Sequence, residues 1–261
     1  WAEAWMRKQE QFHSGLFWTT VMNTYWKLSA EGIAPREAGL GNMASSSSAM
    51  CISPMGMINA GNPRQAALET YELAGLIHHN FARDGACSMA AAVAAAFAPG
   101  ATVDTVLAAA IEFLPPRSAG LMRSYIEKTL ALARDTGDYA AFREGYYAGQ
   151  LLPGIAMPDA RETVPVALAL FLLAEGEPAR AIRYGANFGR DADTIASMAG
   201  SLAGALHGAN ALPEAWVEKM RASGRRDQAA LAVMLVETIH RRAADQARVM
   251  AGIDALDKVS R

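Results

Sequence analysis

Cysteine is scarce in this chain. The 261 residues hold only Cys51 and Cys87, far apart and outside any Cys-x-x-Cys spacing, which excludes a disulfide framework and a structural zinc cluster. Two reduced thiols in a cytoplasmic protein are the expectation. A surplus of charge is missing as well: 24 Lys+Arg face 26 Asp+Glu, for a formal charge of −2. Without a basic excess the chain has no electrostatic grip on a phosphate backbone, so nucleic acid is excluded as a partner. The longest apolar runs, such as residues 89–99, are alanine-dominated and fall well short of the ~20 residues that a membrane-spanning helix needs. No membrane partner is expected. No Ser-His-Asp order, P-loop or zinc-helix motif occurs, which sets those enzyme classes aside. The chain opens on Trp1-Ala2-Glu3-Ala4-Trp5, without the basic flank and apolar core of a signal peptide, a beginning expected of a cut or processed chain.

Runs of β-branched residues are rare too, while Ala, Leu and Met dominate and Gly or Pro punctuates segments of helix length. The fold class that follows is all-α, in one compact domain over residues 1–261, since neither a linker nor a fixed-period repeat interrupts the pattern. An aromatic-rich helical stretch is expected over residues 1–31, and a Gly/Ser-rich loop, 39–48, is read as too small and polar for the core. Asn62-Pro63 starts a helix to about His79, and Asp84-Gly85 opens the next, over 86–97. Further helices are expected to about Leu114 after a Thr102 or Asp104 cap, and over 118–133, 138–147, 161–174, 177–187, 194–206, 213–222 and 227–256. Four stretches are unusually rich in small residues, 66–77, 86–97, 164–174 and 195–206. Small residues let backbones approach, so these form the expected bundle centre.

Chemistry concentrates in Asn187-Phe188-Gly189-Arg190-Asp191-Ala192-Asp193-Thr194, which joins one helix to a following helix with almost no polar surface. Hard cations such as Mg²⁺ take oxygen ligands, and carboxylates two residues apart with an adjacent Thr can converge on one ion or bridge two. A helix start favours Asp for a second reason, because an N-cap carboxylate meets free N–H groups and the helix dipole. Spacing alone leaves both readings open.

The same stretch continues through Gly200-Ser201-Leu202-Ala203-Gly204-Ala205-Leu206-His207-Gly208 to Leu212-Pro213-Glu214-Ala215-Trp216. It resembles the C-terminal signature of the ADP-ribosylglycohydrolase family, Gly-x-Asp-x-Asp-Thr followed by a small-residue helix, Gly-Ala-x-x-Gly and Pro-x-x-Trp. Gly41-Asn42 and Ser48-Ala49-Met50-Cys51-Ile52-Ser53-Pro54-Met55-Gly56 are similar to that family's substrate loop, and His78 to its Ser/Thr-His element. The resemblance implies a compact orthogonal multi-helix bundle holding two Mg²⁺ ions, with Mn²⁺ as a substitute. It also implies an ADP-ribose-like or ribosyl ligand, free or carried on a modified protein. A metal-activated water would attack the anomeric carbon, with negative charge nearby stabilising an oxocarbenium-like transition state. Asp191 and Asp193 would be catalytic, and Asp191, Asp193 and Thr194 metal ligands. Gly41, Asn42, Ser47, Ser48, Ala49, Met50 and His78 would bind substrate, with backbone N–H groups of 44–48 cradling phosphate. Glu162, at a helix start where an acid also suits the dipole, would border the site.

The chain also departs from the family pattern. The family's Thr-Asp-Asp element has no counterpart, since no Asp-Asp dipeptide occurs anywhere, Cys51 stands where the loop carries Arg, and Met43-Ala44-Ser45-Ser46-Ser47 reads as an insertion. These departures keep two alternatives in view: a hydrolase of a small N-ribosyl compound, and a catalytically silent member with a binding or structural role. An N-terminal metal-ligand segment missing from the 261 residues is the expectation for the first departure. The aromatic set Trp1, Trp5, Phe12, Phe17, Trp18, Tyr25 and Trp26 is read as core, with an adenine-stacking face as the alternative.

Overall fold

The structure is a computed structural model that describes residues 2–11, 18–149, 158–224 and 227–259. Among the described residues there are fourteen α-helices and no strand. In chain order the early helices are α1 (Ala2–Gln11), α2 (Thr19–Ser29), α3 (Ser47–Met50) and α4 (Ser53–Met57). Then follow α5 (Pro63–Ala74), α6 (Asn80–Ala96), α7 (Val103–Glu112), α8 (Gly120–Thr136) and α9 (Tyr139–Ala148). The later ones are α10 (Ala160–Leu173), α11 (Pro178–Phe188), α12 (Ala192–His207), α13 (Glu214–Ser223) and α14 (Gln228–Val259).

Several helix starts follow from side chains that satisfy the free N–H groups there. Asn62 accepts from Gln65 N at 3.1 Å ahead of Pro63. Thr102 and Thr105 form a reciprocal capping box. Asp138, Asp159 and Glu177 cap α9, α10 and α11 through their carboxylates. At the other end of α8, Gly137 takes the left-handed conformation, φ 63°, in which a helix commonly terminates.

Two expected boundaries shift. α5 stops at Ala74, and a turn brings the chain to His79, whose extended backbone precedes α6. Asp84 therefore does not open a helix. It lies inside α6, fully buried, accepting from Ser118 Oγ at 2.8 Å, and burial pushes its carboxyl up from the usual range.

The small-residue stretches fall on α5, α6, α10 and α12. α6 packs against the other three, and α10 packs against α12. The close approaches are specific. A Cβ added at Gly185 of α11 would lie 2.5 Å from Ala196 Cα and 2.7 Å from Ala196 N on α12, so these backbones touch where the two helices cross. Gly56 of α4 meets Ala90 O and the Val93 side chain of α6 in the same way. Two compact units divide the chain, Trp1–Pro213 and Glu214–Arg261. Every residue singled out above for chemistry lies in the first unit. Among the described residues no helix is long and apolar enough to cross a membrane.

The aromatic set differs from its expected role. Trp1, Phe12 and Phe17 lie outside the described residues. Trp5, Trp18 and Tyr25 are half-buried, and Trp26 is exposed, its Nε1 donating to Glu31 Oε1 at 3.2 Å. Among the described residues the buried aromatics are instead Phe142, Tyr146, Phe171 and Phe188.

Candidate metal-binding site

The turn between α11 and α12 carries the two aspartates. Its backbone reverses at Gly189, φ 102°, and Arg190, φ 52°. Glycine at 189 suits this φ, and a Cβ there would also sit 2.7 Å from Tyr147 Oη, which would have to move. α9 holds the turn from one side: Arg143 Nε and Tyr147 Oη donate to Phe188 O at 2.8 and 3.1 Å.

Asp191 occupies the N-cap position of α12, yet its carboxylate makes no hydrogen bond to the helix N–H groups. It turns toward the α3 segment, where Ser46 Oγ donates to Asp191 Oδ2 at 3.2 Å. Burial pushes the Asp191 carboxyl above its ordinary range. Hydrogen bonds from Thr194 and Ser46 pull it back, and the neighbouring Asp193 charge raises it further. Asp193 is exposed, while Thr194 is buried with its Oγ1 3.4 Å from Met50 Sδ. A half-buried carboxylate, an exposed carboxylate and two hydroxyls thus gather at one helix start.

These are hard oxygen donors, and they fit one flank of a Mg²⁺ site, an ion that keeps several waters and uses only one or two carboxylates. They do not make a closed cage. Among the described residues no three His, Cys, Asp or Glu side chains converge in a metal-binding group.

The loop 39–48 runs contrary to its expected exclusion from the core. Ser45, Ser46 and Ser48 are at most 2% exposed; Ser46 faces Asp191, and Ser45 and Ser48 serve His78, itself fully buried. Its ring nitrogens need partners, and small hydroxyl side chains supply them at close range. Nε2 lies 3.0 Å from Ser45 Oγ and 3.4 Å from Ser47 Oγ, and Nδ1 is hydrogen-bonded to Ser48 Oγ. Burial lowers the pKa of His78 to about 4, so the imidazole is neutral at pH 7. Trp18 Nε1 also donates to Ser45 Oγ, at 3.3 Å.

Asn42 is engaged within the protein. Its Nδ2 donates to Thr24 Oγ1 and to Ile77 O, both at 2.9 Å, and its Oδ1 accepts from Lys27 Nζ at 2.9 Å. It ties α2, the loop and the turn before His78 together. The preceding Gly41 takes φ 71°. Ala49 is buried and Met50 exposed on α3, which packs on α12.

Glu162, expected at the rim of a substrate site, is 1% exposed and bound to Arg190, whose Nε lies 2.7 and 2.8 Å from its two oxygens. Burial raises its carboxyl, and the Arg190 guanidinium offsets that shift. Sequence reasoning did not single out Ser46 or Arg190 as site residues. The run of four serines, 45–48, was the available signal for the first, and the arginine directly before Asp191 for the second.

Comparison with known proteins gives the class of the chain. The profile of the ADP-ribosylglycohydrolase family matches residues 1–246, and the chain belongs to that family. Among particular relatives, human ADP-ribosylhydrolase ARH3 is 30% identical over 138 residues, 49% of this chain and 36% of that protein. The uncharacterized protein YegU of Escherichia coli strain K12 is 44% identical over 66 residues, 25% of this chain and 20% of its own length. The matched segments thus span about a third and a fifth of these two relatives.

Proposed function

We propose that this protein is a Mg²⁺-dependent hydrolase of the glycosidic bond of an ADP-ribosyl or related ribosyl group. One observation carries the reading beyond family membership: Asp191 stands at a helix start without capping it and faces the hydroxyls of Ser46 and Thr194. A carboxylate used as a cap would be spent on the helix N–H groups. Asp191, Asp193 and Thr194 would hold the metal, which when bound supplies positive charge and a more acidic water. The aspartates' own charge favours an oxocarbenium-like transition state. Ser47 and Met50, the less buried residues of α3, would orient a ribosyl ligand, with buried Ser48 and Ala49 behind them. Neutral His78 and Asn42 act behind them, keeping loop 41–48 in shape.

The experiment is direct. Purified protein is incubated with ADP-ribosyl-arginine, ADP-ribosyl-serine and simple nucleosides, with Mg²⁺ or with EDTA. Mg²⁺-dependent release of a ribosyl product from at least one of them is expected, and absence of release from all of them removes the hydrolase reading. Release from nucleosides alone would favour a small N-ribosyl substrate. A second reading, a silent family member that binds without cleaving, is favoured by the lack of a third converging acidic, His or Cys side chain among the described residues.

A further inference from the structure

The turn that presents Asp191 is tethered from beneath. Arg190 holds φ 52°, a left-handed conformation that costs a non-glycine residue about 1–2 kcal/mol. Its Nε bridges both oxygens of Glu162, which sits in the first turn of α10 beneath the surface. Fully buried Tyr146 lies close enough that the Glu162 charge adds to the effect of burial on its phenol. A carboxylate in such surroundings demands a partner, and breaking the pair leaves an uncompensated charge. The anchor is therefore stiff. The next residue, Asp191, occupies the position from which aspartate ordinarily caps a helix, and it does not do so.

We infer that the Glu162–Arg190 ion pair is a positioning device. It fixes residue 190 in the left-handed region and so withholds the Asp191 carboxylate from the α12 cap, leaving it turned toward Ser46 and Thr194. The value of this for metal binding rests on the function proposed above; the conformational effect does not.

The test has two arms. In metal-free protein, hydrogen exchange of the Asp193 and Thr194 amides reports capping. Arg190→Ala should let Asp191 relax onto them and slow their exchange about fivefold, the effect of an ordinary cap. In the second arm, Mn²⁺ affinity should weaken about tenfold or more in Arg190→Ala and in Glu162→Gln, a loss typical of residues that orient ligands. Arg190→Gly is the rescue, because glycine takes positive φ without a tether. It should keep both readouts within about twofold of the wild type. A structural role alone would make Ala and Gly equally harmful and would leave the two amides unchanged, and either result overturns the inference. If the wild type binds no Mn²⁺, the metal reading fails while the amide arm still decides this one. Should Glu162→Gln fail to fold, the Arg190 variants suffice, since that side chain is 27% exposed.

Discussion

Replacing His78 with glutamine should change how stability depends on pH. The imidazole is fully buried and titrates at about 4, against an ordinary 6.5, because burial disfavours the cation. In the unfolded chain the ring takes up a proton near pH 6.5, but the folded protein resists until about pH 4. Between those values the unfolded state holds more protons, so stability falls as the solution is acidified. The shift is 6.5 − 4, or 2.5 pH units, which converts to roughly 3 kcal/mol lost by pH 4 and nothing lost above pH 6.5. Asp84, Glu162 and Asp191 are raised by burial, so their protonation on acidification favours the folded form. Their contribution has the opposite sign and cancels when wild type and His78→Gln are compared. Urea denaturation at several pH values should give curves that are parallel above pH 6.5 and converge or cross below it, with the wild type losing more. An NMR titration of the ring should place its midpoint near 4. A midpoint near 6.5, or parallel behaviour down to pH 4, would refute the buried hydroxyl cage around His78.

Other consequences are as direct. Gly185→Ala should lower unfolding stability by about 2 kcal/mol or more, because the new Cβ meets the Ala196 backbone, which cannot yield as a flexible side chain would; urea denaturation reads this. Asn42→Ala should cost about 2 kcal/mol by orphaning the Ile77 carbonyl and removing one acceptor of the Lys27 ammonium, which keeps Ala38 O and Leu40 O. It should also speed hydrogen exchange across residues 39–48 while leaving α10 protected. For a protein active in the hydrolase assay, Asp193→Ala should abolish turnover while His79→Ala, at an exposed position, should leave most of it. Equal losses in kcat would reject the assignment of Asp193.

Local signals carried most of the helices. Asn62-Pro63, Thr102, Asp138 and Glu177 each satisfy their own helix start within three residues, so the boundaries were legible without knowledge of the tertiary fold. Asp84 was misread for the same reason, because a carboxylate before glycine looks like a cap, and only the tertiary fold shows it accepting from Ser118, in the turn before α8. The serine loop was misread by composition. Polar residues are usually solvent-facing, but Ser45, Ser47 and Ser48 serve a buried imidazole 33, 31 and 30 positions away. Asp191, Asp193 and Thr194 were singled out together, from spacing and resemblance, as expected metal ligands. Their facing residues were not, because Ser46 reaches Asp191 across 145 positions and Glu162 reaches Arg190 across 28. Contacts of that range leave no periodic trace in the chain.

The central question is whether the aspartates at the start of α12 are metal ligands or helix caps. Titration of the purified protein with Mn²⁺, followed by electron paramagnetic resonance of the free ion, answers it most directly. Saturable binding that Mg²⁺ competes away, and that Asp191→Asn and Asp193→Asn each abolish, is the predicted result. Wild-type protein that binds no Mn²⁺, or binding that survives in both variants, would contradict the account.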